Sequence, residues 1–260
     1  MIDLHAHILP GIDDGARDLQ ESLEMCRIAA KEGIETIVAT PHTGNGIFLT
    51  KREHILAEVA SLNRNIAGSG ISVTILPGAD VHIGTYDEIE AMLENGEATT
   101  VNDNKYYLMI EFPESLIPSN INEWLFRMKL KGITPIFTHP ERNFVIQKDI
   151  KILYDWVEKG GLVQLTAMSL TGDFGGEIRK CSEELLKSHL VHIIASDAHS
   201  ATRRPPVLSK ARDIALNLVG AEMTFNLING YPSEIIKGNH IDIPEPVYKK
   251  ASFFSRFFVK

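Results

Sequence analysis

Histidines and acidic residues sit at the ends of apolar runs in this sequence. The run from Ile2 finishes His5-Ala6-His7, and the loop Gly11-Ile12-Asp13-Asp14-Gly15 follows it. Later runs finish on His42, Asp80, Glu111 and His139, and the last finishes Asp197-Ala198-His199. Residues at i and i+2 of a strand share a face, so His5 and His7 point one way, as do Asp197 and His199. With Asp14 these residues make nine candidate ligands, five imidazoles and four carboxylates. A lone H-x-H or D-A-H is weak, because two satisfied polar residues at a strand end look the same. Six strand ends in one chain that all carry ligand types are a far more specific signal. Nitrogen and oxygen donors without sulfur suit Mn, Fe or Zn, with Co also compatible. Catalytic metals commonly keep about three protein ligands, so the nine would hold up to three divalent ions, fewer if carboxylates bridge. Clustered divalent ions activate water near neutral pH and clamp the oxygens of an in-line displacement at phosphorus. Arg142, in His139-Pro140-Glu141-Arg142, and Arg203-Arg204, after the last run, supply guanidinium forks for a phosphate. The alternative for each arginine is a surface ion pair; Arg142 and Arg204 are the stronger candidates.

The elements that must position these residues are regular. Seven β-branched apolar runs start at Ile2, Glu35, Val73, Tyr106, Ile133, Leu162 and His192, spaced 27 to 38 residues apart. Helical patterns lie between them. Asp18 caps a helix carrying Leu19, Leu23, Met25 and Ile28 that stops at Gly33. Thr50 with Glu53, and Thr85 with Glu88, read as capping boxes; Gly132 and Gly160 close two further helices. Strand and helix alternating seven times predict parallel strands with crossover helices, and near-continuous apolarity predicts strands covered on both faces. No G-x-G-x-x-G follows the first run, so a dinucleotide fold has no support. In a barrel the C-terminal strand ends converge on one mouth, where such ligands would meet.

Composition excludes other classes. The chain has 260 residues, 44% hydrophobic and 23% charged, which is ordinary globular usage and ample for a core. A net charge of −8 argues against nucleic acid as a partner. Cys26 and Cys181 are the only cysteines, too few for a disulfide framework or a thiolate zinc site. No apolar run approaches the roughly 20 residues that span a bilayer, and the N-terminus shows no signal peptide, so a cytoplasmic location is expected.

The segments MIDLHAHILPGIDDGA, TIVATPH, LMIEFP, GITPIFTHPER and HIIASDAHSATRRPP, in that order, resemble the PHP (polymerase and histidinol phosphatase) superfamily. More closely they resemble its bacterial tyrosine-protein phosphatases of the CpsB/YwqE type, linked to capsule and exopolysaccharide synthesis. The resemblance runs from Met1 to about Gly238. It implies an α/β fold, a distorted (β/α)7 barrel of PHP type, over residues 1–240, with 241–260 as a C-terminal tail. It implies a trinuclear, usually Mn2+-dependent site held by His5, His7, Asp14, His42, Asp80, Glu111, His139, Asp197 and His199. Glu111 would bridge ions, and Arg142 and Arg204 would hold the substrate phosphate. The implied substrate is a phosphotyrosine protein, typically the tail of a bacterial tyrosine kinase. One position departs: the family usually has Glu where this chain has Asp80, which is a methylene shorter. His82 shares its face and is the alternative ligand, or an ordinary strand histidine.

The reaction expected is attack of metal-activated hydroxide on phosphorus, with Asp14, His42 or metal-bound water as proton donor. Cysteine chemistry is excluded: six positions after Cys26 and Cys181, where a thiolate phosphatase needs Arg, stand Glu32 and Lys187. Rival readings are a small-molecule phosphatase of the superfamily such as histidinol phosphatase, an amidohydrolase, which would expect a bridging lysine where Glu111 stands, a catalytically silent scaffold, and a nuclease. His54, His189, His192 and His240 are read as surface or packing residues, and Trp124 and Trp156 as core. Phe48 either flanks a phenyl phosphate or caps the mouth. The tail from Lys249, with Phe253, Phe254, Phe257 and Phe258 among basic residues, is either an amphipathic membrane or partner contact or a segment folded on the barrel.

Overall fold

The computed structural model describes residues 1–44, 46–48, 50–83 and 85–247. Its strands are β1 (Ile2–Ala6), β2 (Thr36–Ala39), β3 (His42–Thr43), β4 (Thr74–Pro77), β5 (Asp80–His82), β6 (Tyr107–Glu111), β7 (Thr134–Thr138), β8 (Leu162–Thr166) and β9 (Ile193–Ala195). Every pairing is parallel, in the orders β1-β2-β4 and β3-β5-β6-β7-β8-β9. β2 and β3 belong to one run broken at Thr40-Pro41, and β4 and β5 to one run broken at Gly78-Ala79. The nine segments are therefore the seven runs expected from sequence. The ring closes where His7 N–H donates to the Ala198 carbonyl and Asp197 N–H to the His5 carbonyl, both at 2.8 Å. A bridge pairs Ala6 with Ala198. The result is a distorted seven-stranded α/β barrel.

The helices are α1 (Leu19–Glu32), α2 (Arg52–Ala67), α3 (Tyr86–Glu94), α4 (Ile121–Leu130), α5 (Phe144–Lys148), α6 (Lys151–Glu158), α7 (Ala167–Thr171), α8 (Gly176–Lys187), α9 (Ser209–Phe225) and α10 (Tyr231–Lys237). Asp18 caps α1 by accepting from Glu21 N–H, and Gly33 ends it in the left-handed region at φ 79°. The Thr85–Glu88 capping box forms on α3. The Thr50–Glu53 box does not. Helix α2 begins one residue later, with Lys51 at the N-cap position and no side-chain capping bond, and the Thr50 carbonyl accepts from Thr43 Oγ1 instead. Trp124 and Trp156 are fully buried between helices and strands, as expected of core residues. Cys26 and Cys181 are buried too.

Alternation along the strands divides the barrel interior by depth. Val38, Met109, Ile136, Leu162, Ile193 and Ala195 form one buried apolar cluster with Tyr231, Ile235 and Ile241. Two residues further along the same faces come Glu111, Thr138, Gln164 and Asp197. The lower interior is thus oily and the upper interior polar. Helix α10 seals the oily end, where Asn102 and Asn104 donate to the carbonyls of Ile236 and Ile235. Val247 N–H donates to the Ser188 carbonyl, so the start of the tail lies along the barrel. The phenylalanines from 253 to 258 lie outside the described residues. Among the described residues no helix is long and apolar enough to cross a membrane.

Candidate metal centre

All nine candidate ligands converge at the upper end of the barrel. A register shift on β1 between Asp3 and Ala6 bulges the strand just where His5 and His7 leave it. Their Nε2 atoms stand 3.2 Å apart. His5 Nδ1 donates to Gln164 Oε1 at 3.0 Å and His7 Nδ1 to Asp13 Oδ2 at 2.6 Å. Both partners are acceptors, and Gln164 Oε1 is fixed as the oxygen because His139 N–H also donates to it. Acceptors at both Nδ1 atoms place each ring's proton there and leave the two Nε2 atoms facing each other as lone-pair donors that a cation between them would satisfy. Burial drives the His5 pKa down to about 4. Burial also opposes charge on His7, but the carboxylates of Asp13, Asp197 and Asp80 together outweigh it and lift His7 to about 9.

The carboxylates complete the cup. Asp80 Oδ2 lies 3.5, 3.7 and 3.8 Å from ring nitrogens of His5, His42 and His139, buried and with no hydrogen bond among the described residues. Asp197 Oδ1 lies 3.6 Å from Nε2 of both His5 and His7 and 3.4 Å from His199 Nδ1. Glu111 reaches His42 Nδ1 at 3.3 Å and His139 Nε2 at 3.5 Å. Asp14, on the outer rim with a side chain 54% exposed, stands 3.7 Å from His42 Nε2 and 3.6 Å from His199 Nε2. Most of these gaps are too long for hydrogen bonds. They are near the spacing of two atoms bound to one ion at about 2.1 Å each. Three sets have ligand atoms mutually within 4.8 Å: His7, Asp14, His42 and His199; His5, His7 and Asp80; His42, Asp80 and Glu111. His139 and Asp197 join none of these sets but flank them at the distances above. The orphaned Asp80 Oδ2 and His42 Nδ1, and the facing imidazoles, fit divalent cations.

Two candidate ligands use strained backbone. His139 at φ 33° and Asp197 at φ 51° are left-handed, a conformation that costs roughly 1 kcal/mol or more for a residue with a Cβ. Simple alternation after Ile136 and Thr138 would turn His139 outward. The left-handed turn brings it back to Glu111.

The arginines meet the cluster at Asp197. Its Oδ2 accepts from Arg142 Nη2 and, at 2.6 Å, from Arg204 Nη2. The pair, with the nearby histidines, outweighs burial and holds the Asp197 carboxyl well below the usual range. Arg142 also donates to Thr166 Oγ1 at 2.8 Å. Arg203 is exposed and its backbone N–H bonds Ser200, so it is not part of this pair. Phe48 stacks near His42 with ring centroids 6.2 Å apart, at the rim. His82 Nδ1 sits 3.2 Å from Glu111 Oε2, beside the carboxylates rather than among the imidazoles. His192, fully buried, accepts from Val163 N–H and only packs.

Four residues of the site were not anticipated. Asp13 orients His7 and also accepts from the backbone N–H groups of His42 and Gly15 at 3.0 Å. Gln164 orients His5. Thr138 Oγ1 donates to Asp80 Oδ1 at 3.0 Å, fixing that carboxylate. Phe174 lies against both arginines, with Arg142 Cζ 4.5 Å and Arg204 Cζ 5.7 Å from its ring centroid. The signal for Gln164 was present: it is the one amide in the otherwise apolar run Leu162–Leu165.

Comparison with known proteins agrees with this geometry. The profile of the family described as "Capsular polysaccharide synthesis, CpsB/CapC" matches residues 1–237. The tyrosine-protein phosphatase YwqE of Bacillus subtilis is 36% identical over 256 residues, covering 97% of this chain and 99% of that one. A putative tyrosine-protein phosphatase CapC of Staphylococcus aureus is 35% identical, covering 98% and 99%. Among solved structures, one described with YwqE from Bacillus subtilis and CpsB from Streptococcus pneumoniae as "unique metal-dependent tyrosine phosphatases" superposes with a TM-score of 0.91 at 35% identity. It covers 96% of this chain and 100% of that one.

Proposed function

The chain belongs to the CpsB/CapC family of capsular polysaccharide synthesis, and on that footing we propose that it is a metal-dependent protein-tyrosine phosphatase acting at the barrel mouth. The observation that carries this reading is the position of Asp197. One of its oxygens faces His5, His7 and His199, and the other binds Arg142 and Arg204. An anion held by the two guanidiniums therefore lies against the imidazole–carboxylate cluster.

His5, His7, Asp14, His42, Asp80, Glu111, His139, Asp197 and His199 would hold the ions, with Mn2+ as the proposed metal. Divalent ions there supply an activated water and stabilise charge on phosphate oxygens. Arg142 and Arg204 bind the non-bridging oxygens as planar forks and orient the ester. The lower apolar interior keeps bulk water out from beneath. The exposed Asp14 carboxyl stands at the rim, where a leaving tyrosine passes. A phenol pKa near 10 makes that oxygen a tolerable leaving group with little protonation. No thiolate takes part: burial pushes both Cys26 and Cys181 up to about 12.

We further propose that residues 1–240 act as one phosphatase domain in the cytoplasm, and that the substrate is a phosphotyrosine tail of a bacterial tyrosine kinase. The test is phosphate release by metal-stripped protein reloaded with Mn2+, comparing a phosphotyrosine peptide with L-histidinol phosphate. Fast release from the peptide alone is expected. Preference for histidinol phosphate would move the protein to small-molecule metabolism and overturn the reading.

A further inference from the structure

We propose that Phe174 is a positioning residue that holds Arg142 and Arg204 together as a single phosphate-binding fork. This rests on the reading of those arginines as the phosphate site. They arrive from different loops, after β7 and after β9, and they carry like charge in a confined place. Asp197 Oδ2 draws one Nη2 of each. Arg142 Nη2 also donates to Thr166 Oγ1 at 2.8 Å and Arg204 Nη2 to the Asp197 carbonyl at 3.0 Å, but these bonds use the same nitrogen of each fork and leave its plane free to turn about that atom. The Nε atoms of both are buried and bond nothing among the described residues.

Phe174 supplies a restraint on those planes. It lies in the short loop between α7 and α8, and α7 follows directly from Thr166, the end of β8 to which Arg142 donates. Gly172 at φ 91° and Gly175 at φ 103° flank it, so the loop takes a turn that residues with a Cβ rarely adopt. That turn lays the half-buried ring against both guanidiniums, at 4.5 and 5.7 Å. A ring face attracts a guanidinium through its quadrupole, more strongly where water is excluded. It accepts no conventional hydrogen bond, so the N–H donors remain available to a phosphate. An acidic residue at 174 would restrain the arginines equally well but would occupy those donors and repel the anion.

The experiment uses the Mn2+-loaded full chain and two variants. Phe174→Leu keeps an apolar side chain but has no aromatic face; Phe174→Tyr keeps the face. Inorganic phosphate binding is measured by calorimetry, and kcat and KM are measured on a phosphotyrosine peptide. Phe174→Leu is expected to weaken phosphate binding and raise KM about tenfold, which is about 1.4 kcal/mol. Its metal content and melting temperature should stay at the wild-type values. Phe174→Tyr is expected to remain within about twofold of wild type. Wild-type phosphate affinity in Phe174→Leu, or equal weakening in both variants, would overturn the proposal, because the ring face would then be irrelevant. A wild-type protein that binds phosphate but does not cleave the peptide would sink the phosphatase reading while the binding arm still judged Phe174. A wild-type protein that binds no phosphate would remove the fork and the proposal with it.

Discussion

Asp13 Oδ2 accepts from His7 Nδ1 at 2.6 Å and from the backbone N–H of His42 at 3.0 Å, so one carboxylate ties together the candidate ligands at the end of β1 and the start of β3. The partnership also holds Asp13 down to about 2 against the upward push of burial. A carboxylate behind a ligating imidazole fixes its tautomer and raises its basicity, and losing it commonly costs 10- to 100-fold in metal affinity. Asp13→Asn should therefore bind Mn2+ about 10- to 100-fold more weakly in a calorimetric titration while keeping its circular dichroism spectrum. Unchanged affinity would reduce Asp13 to a loop residue.

Asp80 and His82 make opposite predictions. The Asp80 side chain is wholly buried among three imidazoles, its other oxygen pinned by Thr138. His82 is only half-buried and pairs with Glu111. The shorter carboxylate thus reaches the cluster without help. Asp80→Asn should lower the number of tightly bound ions per chain, measured by elemental analysis after desalting. His82→Ala should leave that number unchanged. The reverse result would make His82 the ligand.

Gly15 closes the loop that carries Asp13 and Asp14. A Cβ there would lie 2.1 Å from the His7 carbonyl oxygen and 2.5 Å from His7 Cβ, contacts that force the backbone to move. Overpacking of this kind typically costs about 1–3 kcal/mol. Gly15→Ala should lower the melting temperature and weaken metal binding together. A variant with native stability and native metal affinity would show that the loop relaxes freely.

Much of this architecture was legible because barrel strands punctuate themselves. Seven runs buried on both faces are apolar until the mouth, and there His, Asp and Glu stand out against Val38, Met109 and Ile136. The supporting residues were less visible for physical reasons. Asp13 and Asp14 are adjacent carboxylates, and spacing alone cannot say which faces His7 and which faces solvent. Phe174 acts across a loop whose shape depends on two left-handed glycines, a feature without periodicity. The Thr50–Glu53 box failed because a tertiary hydrogen bond from Thr43 claimed the Thr50 carbonyl and α2 started a residue later. The His139 position was expected from its place at a strand end, yet alternation alone would have turned it outward; the left-handed backbone supplied the missing half-turn.

His192 gives the fold an acid sensitivity separate from the ligands. Its ring is fully buried, accepts from Val163 N–H through Nδ1, and is pushed down to about 3 by burial. The unfolded chain protonates this residue near 6.5, and the folded chain does so only near 3. Between those values the unfolded state holds more protons, so the contribution of His192 to stability is present above pH 6.5 and is lost as pH falls towards 3. The slope approaches 1.4 kcal/mol per pH unit in the middle of that window. His192→Asn keeps an acceptor near the position of Nδ1 but cannot take up the proton. Urea unfolding of metal-stripped wild type and His192→Asn at pH 7.5, 6 and 4.5 isolates this contribution from ligand loss. Wild type should lose stability faster than the variant below pH 6.5. Parallel curves would mean that His192 is protonated in the folded protein, and that the burial argument for it is wrong.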